Sequence, residues 1–313
     1  MKTKVAIVGA GSMAREHIRA FNSLEGVEVT GIHSRTRQRA EDLAAEFKIP
    51  CVADDIAALR RDSGADLVVV AVPELAANSV SKACFAQPWA VLLEKPAGYH
   101  LGDARDMAAA AAGRSQPVMV GFNRRFYSSS LAVAADIGSR DERRFIHVQD
   151  QQSFAEARRY HHPEEVVRKF MYANSIHIID LILYFGRGKP VEVTPIMPWQ
   201  GETTEVVLTH IRFDSGDAAL YEGLWQGPGP WACTVSTPSR RWVMQPLERA
   251  TFQNAGERKQ NSVDPDPVDS EFKAGFRRQA QEVIRRVRGE PSAAIGIEES
   301  LRTMELIHRM FGE

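Results

Sequence analysis

Lys4-Val5-Ala6-Ile7-Val8-Gly9-Ala10-Gly11-Ser12-Met13-Ala14 is the stretch on which the fold turns. Lys4–Val8 is a short apolar, β-branched run of the kind that makes a buried strand, and Met13 to Leu24 carries apolar residues at helical spacing. The junction fits G-x-G-x-x-G/A, with Ala14 in the last place. Gly9 permits a tight turn, Gly11 lets the backbone approach a pyrophosphate, and Ala14 is small enough for helix and strand to pack closely. Ser12 and Met13 open the helix, whose free N–H groups and partial positive charge suit phosphate oxygens. A glycine turn made only for packing is the competing reading, but the place of the motif between strand and helix favours dinucleotide binding.

The chain continues in the same alternation. Val27–His33 reads as a second strand and Arg37 to Phe47 as a helix with Ala40, Leu43, Ala44 and Phe47 on one face. Leu67–Val72, Ala90–Leu93 and Pro117–Gly121 are continuous apolar runs, as expected of parallel strands covered on both faces, and Ala104–Ala112 is one of the helical stretches between them. This pattern predicts a doubly wound parallel sheet. After a helix near Ser129–Ile137, the stretches Arg144–Phe154, Val191–Pro198, Thr204–Phe213, Ala218–Trp225, Cys233–Ser236 and Arg241–Gln245 read as strands with turn residues between them. Strands that follow one another without helices predict a mostly antiparallel open sheet, with helices on one face. A helix around Asn174–Tyr184 interrupts them, and Ser270–Arg288 and Glu298–Phe311 read as closing helices. The expected organisation is an α/β domain over residues 1–122 and an α+β domain over 123–313.

Composition excludes several classes. The 313 residues carry 44% hydrophobic and 25% charged side chains and a formal net charge of −1, so no global field attracts a polyanion. Nucleic acid is not an expected partner. The longest apolar stretches are far too short to span a bilayer, so no membrane is expected either. Cys51, Cys84 and Cys233 are odd in number, far apart and without metal-ligand spacing, which suits a reducing cytoplasm. No metal site is expected. A sheet face bearing tryptophan and valine suggests a homodimer or homotetramer through the second sheet.

The second strand runs into Ser34-Arg35-Thr36-Arg37. An NAD-selective site usually carries an acid here for the ribose 2′-hydroxyl. Ser34 stands in that place, with Arg35 and Arg37 behind it, and a hydroxyl with guanidinium groups suits a 2′-phosphate. NADP(H) is therefore the expected cofactor and NAD(H) the alternative. The bland reading makes both arginines solvated residues of a first helical turn.

Four segments together resemble one family. They are Gly9–Ala14, Glu94-Lys95-Pro96, Gly121-Phe122-Asn123-Arg124-Arg125-Phe126 and His177-Ile178-Ile179-Asp180. In order and spacing the chain resembles the glucose–fructose oxidoreductase/inositol dehydrogenase/MocA family. The resemblance implies hydride transfer between a nicotinamide and a carbon of a sugar, nucleotide sugar or cyclitol. It implies that Val72, Pro73, Glu94 and Lys95 line the cofactor, with Lys95 also contacting the reacting oxygen and Pro96 holding the loop, in this family sometimes through a cis peptide. His177 becomes the general acid/base, since imidazole titrates near neutrality. Asn123, Arg124, Asn174 and Asp180 become substrate-side residues, although Asp180 also reads as a structural partner. The sequence departs from the family pattern at Ala173, where many relatives carry an aspartate, and at Glu74 and Ala77, where a sugar-binding asparagine and histidine often stand. Those losses leave a second reading open, a non-catalytic dinucleotide sensor. Lys95, Asn174 and His177 favour the enzyme.

Overall fold

The fingerprint strand β1 (Thr3–Val8) lies inside a six-stranded sheet with β2 (Val27–His33), β3 (Cys51–Val52), β4 (Leu67–Val70), β5 (Ala90–Glu94) and β6 (Val118–Gly121). The order is β3-β2-β1-β4-β5-β6 and every pairing is parallel, the doubly wound arrangement of a Rossmann domain. Helices α1 (Ser12–Asn22), α2 (Arg37–Phe47), α3 (Ile56–Ser63), α4 (Glu74–Phe85) and α5 (Leu101–Ala111) make the crossovers. The computed structural model describes residues 2–312. Val68, Val69, Val91 and Leu92 are wholly buried, which explains why these strands read as unbroken apolar runs.

The second sheet has eight strands: β7 (Phe145–Gln151), β8 (Pro190–Met197), β9 (Val206–Phe213), β10 (Ala218–Leu224), β11 (Ala232–Ser236), β12 (Arg240–Met244), β13 (Ala250–Asn254) and β14 (Asn261–Val263). Its order is β14-β13-β12-β11-β7-β10-β9-β8, and the β7–β10 pair is parallel while the other pairings are antiparallel. Helices α6 (Ser128–Gly138) and α9 (Ile176–Phe185) pack on it, and α7 (Phe154–Arg159) and α8 (Glu164–Arg168) lie in the β7–α9 connection. Burial alternates strictly along β10, with Ala219, Tyr221 and Gly223 inward and Leu220, Glu222 and Leu224 half-exposed. The tryptophans do not cover the open face. Trp225 and Trp242 are buried, and Trp199 stacks on Trp225 with ring centres 4.6 Å apart.

The strands β3, β13 and β14 are absent from the sequence reading, and three further elements differ from it. The expected strand Arg144–Phe154 ends at Gln151, because the Ser153 side chain accepts from Glu156 N–H and caps α7. The helix expected at Asn174 begins earlier with a π turn over Met171–Ser175, which places His177 in the first turn of α9. The single helix expected over Ser270–Arg288 is two, α10 (Val268–Glu271) and α11 (Phe276–Val287), separated at Gly275, whose φ of +76° breaks the run.

The chain divides into two compact units, and the division is not a single cut. The first takes the chain up to Asn123 together with Ser270–Leu301, and the second takes Arg124–Asp269 with the end of α12 (Ile297–Phe311). The expected division into 1–122 and 123–313 left α11 with the wrong unit. Phe276, Ala280, Val283 and Ile284 on α11 belong to the core built on β1 and α1. Ile295 O also accepts from Val120 N–H at 2.9 Å beside β6.

Candidate active site

In the first unit the glycine loop separates two roles. Gly9 has φ +113°, and a Cβ there would lie 2.0 Å from Ala71 O, so the fold itself demands glycine. A Cβ on Gly11 would meet no protein atom within 4 Å. Packing therefore does not explain Gly11, whereas a ligand drawn close to the backbone does. Gly11 is the N-cap of α1, without a side-chain cap or an acidic residue in the first turn, so the helix end suits an anion. Ser12 is exposed, Met13 half-buried and Ala14 buried against the sheet. Val72 comes beside the loop, with Cγ1 3.5 Å from the position of a Gly9 Cβ, and Pro73 caps α4 in the open. These residues fit a dinucleotide pyrophosphate.

At the end of β2, Ser34 is half-buried and Arg35 exposed. Arg37 is not available as expected. Its Nε donates to Glu41 at 2.8 Å and its Nη1 is held by Asp54, so two carboxylates already occupy the guanidinium.

Glu94 and Lys95 stand at the end of β5, with Lys95 half-buried and Lys95–Pro96 a cis peptide. Glu94 was expected to line the cofactor, but the His17 ring holds its carboxylate, Nε2 to Oε1 2.7 Å. His17 is buried in α1 and stacks on Phe276 at 4.9 Å, so it ties the fingerprint helix to the Lys95 loop. Nothing in the sequence marked His17, since its partner lies 77 positions away. Asn123 closes the unit with Nδ2 donating to Ala274 O at 3.0 Å, a bond that fixes the orientation of its amide.

In the second unit, His177 is half-buried on α9. Asp180, one turn on, is not a substrate ligand. It is 1% exposed, and its carboxylate takes a two-pronged grip from Arg125 at 2.7 and 2.8 Å and the Thr303 hydroxyl at 2.9 Å. With those bonds it fixes α9, and so the His177 backbone, against α12. Asn174 Nδ2 donates to Gln152 Oε1 at 2.9 Å, and Gln152 Nε2 donates to Asp150 at 2.7 Å. Tyr221 Oη completes the group on Asp150 at 2.8 Å. Burial pushes the Asp150 carboxyl up, against the hydrogen bonds that favour its charge, among them those from Tyr221 and Gln152. Asp150, Gln152 and Tyr221 thus support the π turn that leads to His177, and sequence reasoning named none of them. Reading β7 and β10 as strands does not say which of their inward residues are polar partners.

Residues 3–122 match the sequence model of the Gfo/Idh/MocA oxidoreductases, described as an oxidoreductase family with an NAD-binding Rossmann fold. Residues 3–122 thus carry the NAD-binding domain that this model describes. Over 314 aligned residues it is 23% identical to 4-carboxy-2-hydroxymuconate-6-semialdehyde dehydrogenase of Sphingobium sp., covering 93% of each chain. It is 33% identical to inositol 2-dehydrogenase of Streptomyces avermitilis over 137 residues, 43% of this chain and 40% of that one. Among solved structures, a dehydrogenase from Chromobacterium violaceum superimposes with a TM-score of 0.83 at 18% identity, covering 99% of this chain and 94% of that chain. That likeness shows a shared fold over nearly the whole of both chains. The matched domain and the dehydrogenases among the relatives mark the protein as an oxidoreductase, and among the described residues no helix is long and apolar enough to cross a membrane.

Proposed function

We propose that this chain is an NADP(H)-linked dehydrogenase or reductase that acts on a CH–OH carbon of a polyhydroxylated small molecule of the sugar, nucleotide-sugar or cyclitol type. The observation that carries it is Gly11, a glycine that the protein's own packing does not require, at an uncapped helix end. The family and the substrates named for its relatives, an inositol and a semialdehyde, support the same reading. When bound, the nicotinamide supplies the carrier for a hydride. The remaining work falls to side chains. In the oxidising direction the substrate C–H electrons leave as hydride, the hydroxyl proton passes to His177, and a C=O bond forms. The Lys95 ammonium stabilises negative charge developing on the oxygen, and the same groups run in reverse for reduction. Asn174, whose Nδ2 donates to Gln152, keeps an amide oxygen that can accept from a substrate hydroxyl.

NADP(H) is proposed over NAD(H) because no acid stands at Ser34 and the Arg35 guanidinium forms no ion pair among the described residues. Titration of purified protein with NADPH and NADH tests this. Tighter NADPH binding by about tenfold, or 1.4 kcal/mol, is expected, and tighter NADH binding contradicts it. A homodimer or homotetramer is proposed through the second sheet, where Leu208, Leu220 and Leu224 are half-exposed and Val191, Ile196 and Met197 on edge strand β8 are exposed. A monomer mass in light scattering contradicts that. Three free thiols fit a reducing cytoplasm, and resistance of the native protein to formation of any disulfide on air oxidation is expected.

A further inference from the structure

We propose that Arg124 and Trp231 form an oxyanion subsite that takes the carboxylate of an acidic polyhydroxy substrate. The inference rests on the dehydrogenase reading only for the nature of the ligand. The subsite itself lies wholly in the second unit.

The Arg124 guanidinium lies over the Trp231 ring, Cζ 4.3 Å from the ring centre. The ring is fixed in turn, since Trp231 Nε1 donates to Gln151 O at 2.9 Å. Arg124 Nη1 is shut off from water and meets no acceptor. Three groups face the charge. Tyr127 hydrogen-bonds it but is a neutral phenol, Glu248 is exposed, and Asp150 already accepts from Tyr221 and Gln152. No carboxylate forms an ion pair with it among the described residues.

The other arginines of this unit show how unusual that is. Arg125 grips Asp180 with two nitrogens, Arg187 grips Asp217, and Arg144 gives both Nη groups to the carbonyls of Phe185 and Ile137. An arginine does not escape its burial by losing a proton at ordinary pH. A desolvated cation without a counter-ion is costly, and burial does depress the Arg124 pKa. An anionic group on the ligand relieves that cost. A guanidinium over an aromatic ring does not spend its N–H groups on the ring, and two of those groups match the two oxygens of a planar carboxylate. Stacking contributes stability in the absence of ligand. It does not supply the acceptor that Nη1 lacks.

The test is calorimetric binding of three sugars that differ only at C6, D-glucose, D-glucuronate and D-glucose 6-phosphate, to the full chain with dinucleotide present. Saturable glucuronate binding is expected, at least about tenfold tighter than glucose, one charge-assisted pair being worth about that factor. Arg124→Met should erase the difference, and Arg124→Lys, which keeps the charge but not the fork, should retain part of it. Equal binding of all three sugars, binding of neither acid, or a glucuronate preference that survives Arg124→Met overturns the subsite. Glucose 6-phosphate binding tighter than glucuronate overturns the carboxylate assignment in favour of a phosphate ester. If Arg124→Met does not fold, the wild-type ratio and Arg124→Lys still decide. Glucuronate that binds through Arg124 without turnover leaves the subsite and removes the dehydrogenase reading. Turnover of a neutral sugar by wild type with no preference for glucuronate does the reverse.

Discussion

At Gly9 the backbone sits at φ +113° with Ala71 O in the way of any side chain, whereas at Gly11 a Cβ has open space. The two alanine variants should therefore fail differently. Gly9→Ala should lose about 1–3 kcal/mol of stability or more, from a strained conformation and a backbone clash, visible as a lowered Tm. Gly11→Ala should leave Tm close to wild type and weaken dinucleotide binding by about tenfold or more. Equal Tm losses in both would mean that Gly11 serves packing. The contrast also explains what was legible at this scale. The fingerprint is local, so its roles are readable from spacing. Asp150 and Tyr221 are 71 positions apart and Arg125 and Asp180 are 55 apart, so pairing them needs the register of the sheet and the place of α9. That is why spacing alone leaves Asp180 open between substrate ligand and structural partner, and Arg37 open between phosphate ligand and surface residue, until Arg125 and Asp54 are placed beside them.

The elements of the second unit are tied by Asp217, a fully buried carboxylate just before β10. It accepts from Arg144 N–H at β7 and from the Arg187 N–H and guanidinium after α9. Burial alone would raise its pKa, but these donors outweigh burial and the carboxyl titrates below its ordinary value. A carboxyl depressed in the folded state contributes stability that is complete above the unfolded value of about 3.9 and is lost as pH falls through the lower folded value. Asp217→Ala should cost about 1–3 kcal/mol at neutral pH, because the Arg144 N–H and the Arg187 N–H and guanidinium lose this acceptor while Arg187 keeps Asp141. The cost should shrink as pH falls below about 4. A pH-independent cost in denaturant melts would contradict this. Element types were legible where periodicity was strong, as in β1, β4, β9 and β10. Boundaries were not, where a cap or a single glycine decided them, as Ser153 and Gly275 did.

At the scale of the molecule, the first unit is not continuous in sequence. Phe276, Val283 and Ile284 of α11 are between 1% and 3% exposed in its core. Burying such side chains contributes about 1.5–3 kcal/mol each, a sum comparable with the roughly 5–15 kcal/mol total stability of a domain. A fragment ending at Asn123 should therefore show no cooperative melt, and fusing 270–301 to it should restore one. Cooperative unfolding of the shorter fragment would contradict the assignment. The alternation of strand and helix made the Rossmann domain legible, and the run of strands made the second sheet legible. The return of α11 was not, because an amphipathic helix carries no mark of which core its apolar face fills.

The claim at the centre is that Lys95 and His177 act on the substrate hydroxyl in an enzyme whose fingerprint holds the dinucleotide. The direct measurement is turnover, followed by the near-ultraviolet absorbance of the reduced nicotinamide, across a set of sugars, sugar acids and cyclitols. Wild type, Lys95→Met and His177→Asn are compared, with nucleotide affinity measured for each. Each substitution should lower kcat by about 10²–10⁴-fold, the range for a lost general acid/base, with nucleotide affinity within a few-fold of wild type. Undiminished kcat in both variants would contradict the assignment, even if the nucleotide binds.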